Sequence, residues 1–134
     1  MRIQAVKAGN VLTKYNKRDG KHALRWVYVS PAADKILWGD QKTRECKSEA
    51  KLSDATALLH GAKGSAFFKQ QGSRRDEDWQ CFSIVFKERT LDFAATNGPI
   101  LLDWYLALAA IIPKSTEKLL DEAELRERIC SMMT

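Results

Sequence analysis

Two apolar strands and an apolar helix between residues 81 and 112 constrain the fold of this chain more than any other stretch. Residues 81–86, CFSIVF, are apolar on both faces, which is typical of a strand buried in a sheet. Residues 87–89 form a polar tip and residues 90–95 alternate again, so the two strands are predicted to pair as an antiparallel hairpin. Because asparagine caps helices and proline suits the first helical position, residues 97–99 predict the start of a helix.

The predicted helix carries one apolar stripe. Its members recur at three- and four-residue steps: Leu101, Trp104, Leu108 and Ile111. Pro113 marks the end of the helix because proline cannot continue it. Trp104 is the largest side chain on the stripe, and we expect it to anchor the helix in the core.

Three further strands with tight connections are predicted in the N-terminal part of the chain. Residues 9–15, 24–30 and 35–39 combine alternating hydrophobicity with aromatic and β-branched residues. Pro31 and Asp34 predict a turn between the second and the third of these strands. The three strands are therefore expected to form a meander.

The remaining segments carry weaker signals. Residues 3–7 are predicted to be a short lead-in, residues 40–51 a polar, basic connection, and residues 70–78 a charged surface loop. Residues 52–61 are rich in alanine and leucine, so their local propensity favours a helix.

The runs CFSIVFK, TLD and an LxxWxxxLxxII helix resemble the C-terminal half of a pleckstrin homology (PH) domain, and most closely the phospholipase C delta type. The runs GxLxK, RWVYVS and ILWG resemble its first three strands. The resemblance implies a partly open sandwich of seven antiparallel strands in two nearly orthogonal sheets, capped by the C-terminal helix and its tryptophan. It also implies a strand, rather than a helix, within residues 52–61.

In size and plan the chain is also similar to small stand-alone PH proteins with an acylated N-terminus, such as the apicomplexan inner membrane complex sub-compartment proteins. We expect residues 1–112 to form the PH-like domain and residues 113–134 a helical extension. Ser115 is expected to cap a helix over 115–133.

Composition and motifs give little support for an enzyme. A chain of 134 residues, 45% hydrophobic and 29% charged, has the composition of one globular domain. It contains no GxSxG, P-loop, HExxH or CxxC motif, and its two histidines are more commonly surface or capping residues than general bases. Three scattered cysteines predict reduced thiols. We therefore expect no enzymatic activity, no metal and no cofactor.

A basic hairpin is the feature most suited to binding. The formal net charge is +5, and the candidate ligands for an anionic lipid head group are Lys14, Lys17, Arg18, Lys21, Arg25 and Lys42. The resemblance implies two further cations at positions where this chain has Asn16 and Ala23. The inositol phosphate pocket is therefore expected to be degenerate, and the alternative is a genuine phosphoinositide or other anionic phospholipid site. Nucleic acid is disfavoured because only Tyr15 is interleaved with the basic residues.

The predicted helices also carry apolar residues outside the Trp104 stripe. The candidate protein contacts are Leu102, Leu106, Leu125 and Ile129. Either the extension folds back onto Leu102 and Leu106, or a protein partner or second copy covers them, because exposed apolar patches usually mark interaction sites.

These features together predict a docking or scaffold module at the cytoplasmic face of a membrane, in which protein contacts matter more than a particular lipid. No apolar run has membrane-spanning length. Met1 is followed by Arg2 rather than the glycine needed for N-myristoylation, and Cys130 is not in a prenylation motif. Attachment through an acylated segment preceding this sequence remains compatible with the resemblance.

Overall fold

A computed structural model describes residues 2–16, 21–61 and 76–133. Its seven strands are β1 Asn10–Tyr15, β2 His22–Val29, β3 Lys35–Asp40, β4 Cys46–Lys51, β5 Ala55–His60, β6 Cys81–Phe86 and β7 Thr90–Ala94. Its helices are α1 Arg2–Ala8, α2 Gly98–Ile111 and α3 Glu122–Met133, with 3₁₀ turns at Leu52–Asp54 and Asp78–Gln80.

The strands form one open antiparallel sheet in the order β4-β3-β2-β1-β7-β6-β5. Instead of two separate sheets, a single hydrogen-bonded ladder runs through β1, which pairs with β2 on one side and β7 on the other. Lys14, for example, lies opposite Ala23 on β2 and opposite Phe93 on β7. The seven antiparallel strands and the helix that follows them confirm the predicted PH-like architecture.

Three segments differ from the prediction made on local signals. The polar connection 40–51 contains β4, whose residues are all exposed except the half-buried Ala50, so it shows no apolar alternation. The lead-in is the helix α1, in which only Val6 is buried. Residues 52–61 form a turn and β5, because pairing of Leu58 with Ile84 on β6 overrides their helical propensity.

The core of the sheet is closed by α2. The Trp104 side chain is fully buried, and its indole Nε1 donates a 2.9 Å hydrogen bond to Asn10 Oδ1 at the start of β1. The N-cap is Asn97, whose Oδ1 accepts from the backbone N–H of Ile100 at 2.9 Å. At the other end Ile112 is buried, whereas Ile111 of the predicted stripe is only half-buried.

The extension begins its helix later than predicted. Residues 113–121 run beside β5, where Thr116 N donates to Thr56 O at 2.9 Å and Leu58 N donates to Ser115 Oγ at 3.3 Å. Ser115 therefore hydrogen-bonds to the edge strand of the sheet instead of capping a helix. Asp121 caps α3, because its Oδ1 accepts a 2.8 Å hydrogen bond from the backbone N–H of Glu124. The segment covers a strand edge that would otherwise expose unpaired backbone groups.

Helix α3 packs against α2 within the same chain. Of the four candidate protein contacts, only Leu106 keeps partial exposure; three are buried within the chain: Leu102, Leu125 and Ile129. Arg2 of α1 ties the helices together, because its guanidinium lies 2.8 Å from Asp103 Oδ1 on α2 and 2.7 Å from Glu122 Oε1 on α3. The chain itself thus covers three of the four candidates, and a partner contact through Leu106 stays a prediction.

A buried histidine also holds α3. Arg128 Nε donates to His60 Nδ1 at 2.9 Å, and His60 Nε2 lies 2.9 Å from Trp79 O. Since Arg128 can only donate and the carbonyl can only accept, the ring is neutral with its proton on Nε2. Burial lowers the pKa of His60, and so does the positive charge of Arg128, against opposing effects of the Trp79 hydrogen bond and the Asp78 charge.

We expect acidification to destabilise the protein through His60. Its folded-state pKa lies below the ordinary value of 6.5, so the unfolded chain takes up the proton first. The stability contributed by the neutral ring is therefore fully present above pH 6.5, and it is lost as the pH falls through the folded-state pKa. Denaturant unfolding between about pH 5 and 7 should show this loss. The His60→Gln variant should reduce the slope of unfolding free energy against pH, and the His22→Gln variant should retain it. Equal slopes in the two variants would contradict the assignment to His60.

Candidate functional site

The inner face of the sheet changes from apolar to charged towards the end that carries the β1–β2 loop. Residues two apart in a strand share a face. On β1 the buried Leu12 is followed by the half-buried Lys14, and on β2 the buried Val27 is preceded by Arg25. Arg25 lies opposite Leu12 and also opposite Asp40, the last residue of β3. The charged residues therefore continue the core face beyond the point where the core ends.

These residues line a cleft of about 300 Å³. Its lining consists of Lys14, Asn16, Arg25, Trp38, Gly39, Asp40, Lys47 and Ser48. An adjoining cleft of about 410 Å³ is lined by Ala23, Leu24, Arg25, Asp40, Gln41 and Lys42. Arg25 and Asp40 border both, so the two clefts adjoin each other.

Trp38 forms an aromatic floor for the cations. Its side chain is only 6% exposed and packs edge-on against Phe93, with ring centroids 6.5 Å apart. Lys14 Nζ lies 5.4 Å from the indole centroid, and Arg89 Cζ, from the β6–β7 connection, lies 5.6 Å from it. Cations within about 6 Å of an aromatic face are attracted to it. The indole thus helps to hold two positive charges close together.

The cleft carries an excess of positive charge, because three of its lining residues are cations and one, Asp40, is an acid. Among the ion pairs of the described residues, none involves Lys14, Arg25, Lys47 or Arg89. Burial lowers the pKa of Lys14, and the charges of Arg89 and Arg25 lower it further, while Asp92 partly opposes them. The Lys14 ammonium donates to Asn16 Oδ1 at 3.2 Å, a neutral partner. A bound anion would relieve the repulsion among these groups.

Asp40 shapes the β3–β4 connection. Its Oδ1 accepts from the backbone N–H groups of Lys42, at 2.8 Å, and Thr43, at 2.9 Å. These two hydrogen bonds lower the pKa of Asp40, so its carboxylate is ionised at neutral pH. The arrangement is an Asx turn, which needs an acceptor at this position.

The structure brings together only part of the predicted site. Lys14, Asn16 and Arg25 line one cleft, and Ala23 and Lys42 line the adjoining one. The exposed Lys21 accepts at its backbone O from Asn16 N at 2.8 Å. The predicted ligands Lys17 and Arg18 lie outside the described residues.

Two cations were missed by the sequence analysis. Lys47 lies in the segment taken for a connection, and Arg89 lies in the polar tip between β6 and β7. Both reach Lys14 only through pairing across the sheet, Lys47 through β3 and Arg89 through β7. No spacing along the chain signals this convergence.

A larger cavity of about 710 Å³ lies beside α3 and does not share this chemistry. Its charged lining residues are Asp78, Glu124, Glu127 and Arg128. Three acids against one base disfavour an anion there. Within residues 2–16, 21–61 and 76–133, no group of three metal-ligating side chains is placed to hold an ion. None of the helices in those ranges is long and apolar enough to cross a membrane.

No protein-family model matches the sequence, and no curated protein matches it significantly. Solved structures share the fold. Inner Membrane Complex sub-compartment protein 1 of Toxoplasma gondii is similar with a TM-score of 0.60 and 14% identity, over 82% of this chain and 90% of that chain. The C-terminal PH domain of pleckstrin has a TM-score of 0.57 and 11% identity, over 77% and 93%. PLC21 of S. officinalis has a TM-score of 0.58 and 12% identity, over 80% of this chain but 15% of that chain.

Proposed function

The chain has a pleckstrin homology-like fold, and from this premise we propose that it is a non-enzymatic docking module that attaches to the cytoplasmic face of an anionic membrane. The observation that carries the proposal is the convergence of cations from separate strands on one cleft. Three of them line it, Lys14, Arg25 and Lys47, and Arg89 lies 5.6 Å from the Trp38 ring that forms its floor. Since these cations outnumber the one acidic lining residue and form no ion pair among the described residues, the cleft suits an external anion.

The expected attachment is modest. Each basic side chain near an anionic leaflet contributes about 1 kcal/mol, so this cluster supplies a few kcal/mol of salt-sensitive attraction. Such an attachment is reversible and becomes stable when a second contact adds to it, for example through a protein partner or a second copy. The half-buried Leu106 is the candidate contact that keeps partial exposure for this role.

Head-group selectivity is expected to be low among phosphoinositide isomers. Selective binding needs charge-assisted hydrogen bonds from several converging donors to each phosphate. Asn16 occupies one such position and is engaged with Lys14, and Ala23 at another has no donor in its side chain. The pocket is therefore degenerate with respect to the pattern of the phospholipase type.

Lys47 and Arg89 favour the alternative, a genuine phosphoinositide site. They supply two cations from other directions. These can replace the two cations that the family pattern has at the positions of Asn16 and Ala23. Membrane placement itself is supported by the similarity to the Toxoplasma gondii protein, whose name assigns it to an inner membrane complex. The two candidates differ in isomer selectivity, which can be measured directly.

The experiment compares two lysines of β4 that are both exposed. Lys47 lines the cleft, whereas Lys51 lies four residues further along the strand, about 13 Å away and beyond the screening length of about 8 Å. We expect Lys47→Gln to weaken binding to phosphatidylcholine vesicles containing an anionic lipid about fivefold, and Lys51→Gln to weaken it much less. Co-sedimentation at low and high salt measures both.

Equal effects of the two substitutions would show that net charge, rather than the cleft, drives binding. Absence of binding to any anionic vesicle at low salt would overturn the docking proposal. Tight binding that distinguishes phosphoinositide isomers of equal charge would establish the alternative.

A further inference from the structure

One acidic side chain lies among the cations of the cleft. Asp40 is the cross-strand partner of Arg25, and Lys47 acts on its carboxylate electrostatically. No ion pair joins Asp40 to Arg25 or Lys47 within the part of the chain that the structure describes. The cleft therefore presents both signs of charge to a ligand.

The β3–β4 turn holds the carboxylate of Asp40 in position. Both backbone donors of the β3–β4 turn, Lys42 N and Thr43 N, bond to Oδ1. The Thr43 side chain also acts on this carboxylate and lowers its pKa further. The turn thus fixes an ionised carboxylate in place, and Asp40 lines both clefts where they meet.

The negative charge of Asp40 discriminates among lipid head groups. A phosphomonoester brought close to Arg25 would also lie close to the Asp40 carboxylate, and like charges at short range repel. A ligand with an ammonium group a few bonds from its phosphate would instead pair its cation with Asp40 and its anions with Lys14 and Arg25. Phosphatidylserine carries this combination: one phosphodiester, one carboxylate and one ammonium.

We infer that the cleft prefers a phosphoserine head group in a membrane over an anionic head group without an ammonium, and that Asp40 determines this preference. The inference rests on the proposed function, because it names the lipid class for the same cleft. Phosphatidylglycerol is the matched comparison, since it carries the same single net negative charge at neutral pH and no ammonium.

The test uses the full chain with phosphatidylcholine vesicles that contain either phosphatidylserine or phosphatidylglycerol at equal mole fraction. We expect the unmodified protein to bind the phosphatidylserine vesicles about two- to fivefold more tightly, within the range of one solvent-screened ion pair. Asp40→Asn keeps an oxygen for the Lys42 and Thr43 donors and removes the charge. It should bring the ratio of the two affinities close to one and should strengthen phosphatidylglycerol binding.

The matched control is Asp34→Asn, which removes the same charge from an exposed turn next to the opposite end of β3. It should shift both affinities equally and keep their ratio. A ratio near one in the unmodified protein, or a ratio unchanged in Asp40→Asn, would overturn the inference and leave the docking function intact. Failure to bind either vesicle would overturn the docking function itself. The comparison of lipids on the unmodified protein decides the question even if Asp40→Asn does not fold.

Discussion

Replacing Trp104 with alanine should lower the free energy of unfolding by about 3–5 kcal/mol, the range for deleting a large aromatic side chain from a packed core. The Trp104 side chain is 0% exposed, so the substitution would leave a cavity between α2 and the sheet. It would also leave Asn10 Oδ1 without the 2.9 Å hydrogen bond that ties the start of β1 to the helix. Urea unfolding monitored by far-ultraviolet circular dichroism measures the loss.

The matched control for this prediction is Trp26→Ala. Trp26 is only half-buried on the outer face of the sheet, where the Arg44 guanidinium stacks 4.0 Å from its ring centroid. The same change of side chain there removes less buried surface, so it should cost clearly less stability. If the two variants lose equal stability, or if Trp104→Ala loses none, α2 does not close the core as described.

Replacing Leu125 with glutamate should detach α3 from the rest of the domain. Leu125 is 0% exposed and belongs to the main core. Removing such a leucine alone costs about 2–5 kcal/mol, and an unpaired carboxylate in the same place adds a desolvation cost. The helix should therefore dissociate and expose Leu102 and Tyr105. We expect a lower unfolding midpoint together with concentration-dependent self-association, because exposed apolar patches promote association.

Ala123→Glu is the control on the same helix. Ala123 is exposed in the first turn of α3, where a carboxylate is favoured by the helix dipole. This variant should keep the association state and the unfolding midpoint of the unmodified protein, as judged by analytical ultracentrifugation and thermal denaturation. If Leu125→Glu behaves like Ala123→Glu, α3 does not pack on α2 in solution. The apolar residues of α2 would then be expected to contact a partner instead.

Most of the strands and the closing helix could be predicted from sequence because their signals are local. The run 81–86, apolar except for Ser83, indicates a strand buried on both faces, and Asn97 and Pro99 indicate the start of the helix. Residues 52–61 show where a local signal fails. Their alanine and leucine content favours a helix, but hydrogen bonding to β6 makes them a strand, and only the family resemblance indicated this.

The candidate site was less predictable than the fold. Lys14 and Arg25 could be named because they lie on adjacent strands joined by a short loop, so their approach follows from a hairpin. Lys47 and Arg89 could not be named, because their approach depends on the register of two further strand pairs. The position of Asp40 opposite Arg25 likewise depends on the register of β2 with β3.

Three properties follow from the amino-acid sequence alone: the alternation of the inner strands, the stripe that carries Trp104 and the excess of positive charge. The first two depend on side chains close together in the chain, whose periodicity the backbone imposes, and the third is a property of composition. Three other features required the packed structure: the pairing of β4 as a strand, the hydrogen bond of Ser115 to β5 in place of a cap on α3, and the set of cations that share a cleft. Each of these outcomes depends on hydrogen bonds or charges between residues far apart in the chain, and such distances are set by the packing of the whole sheet.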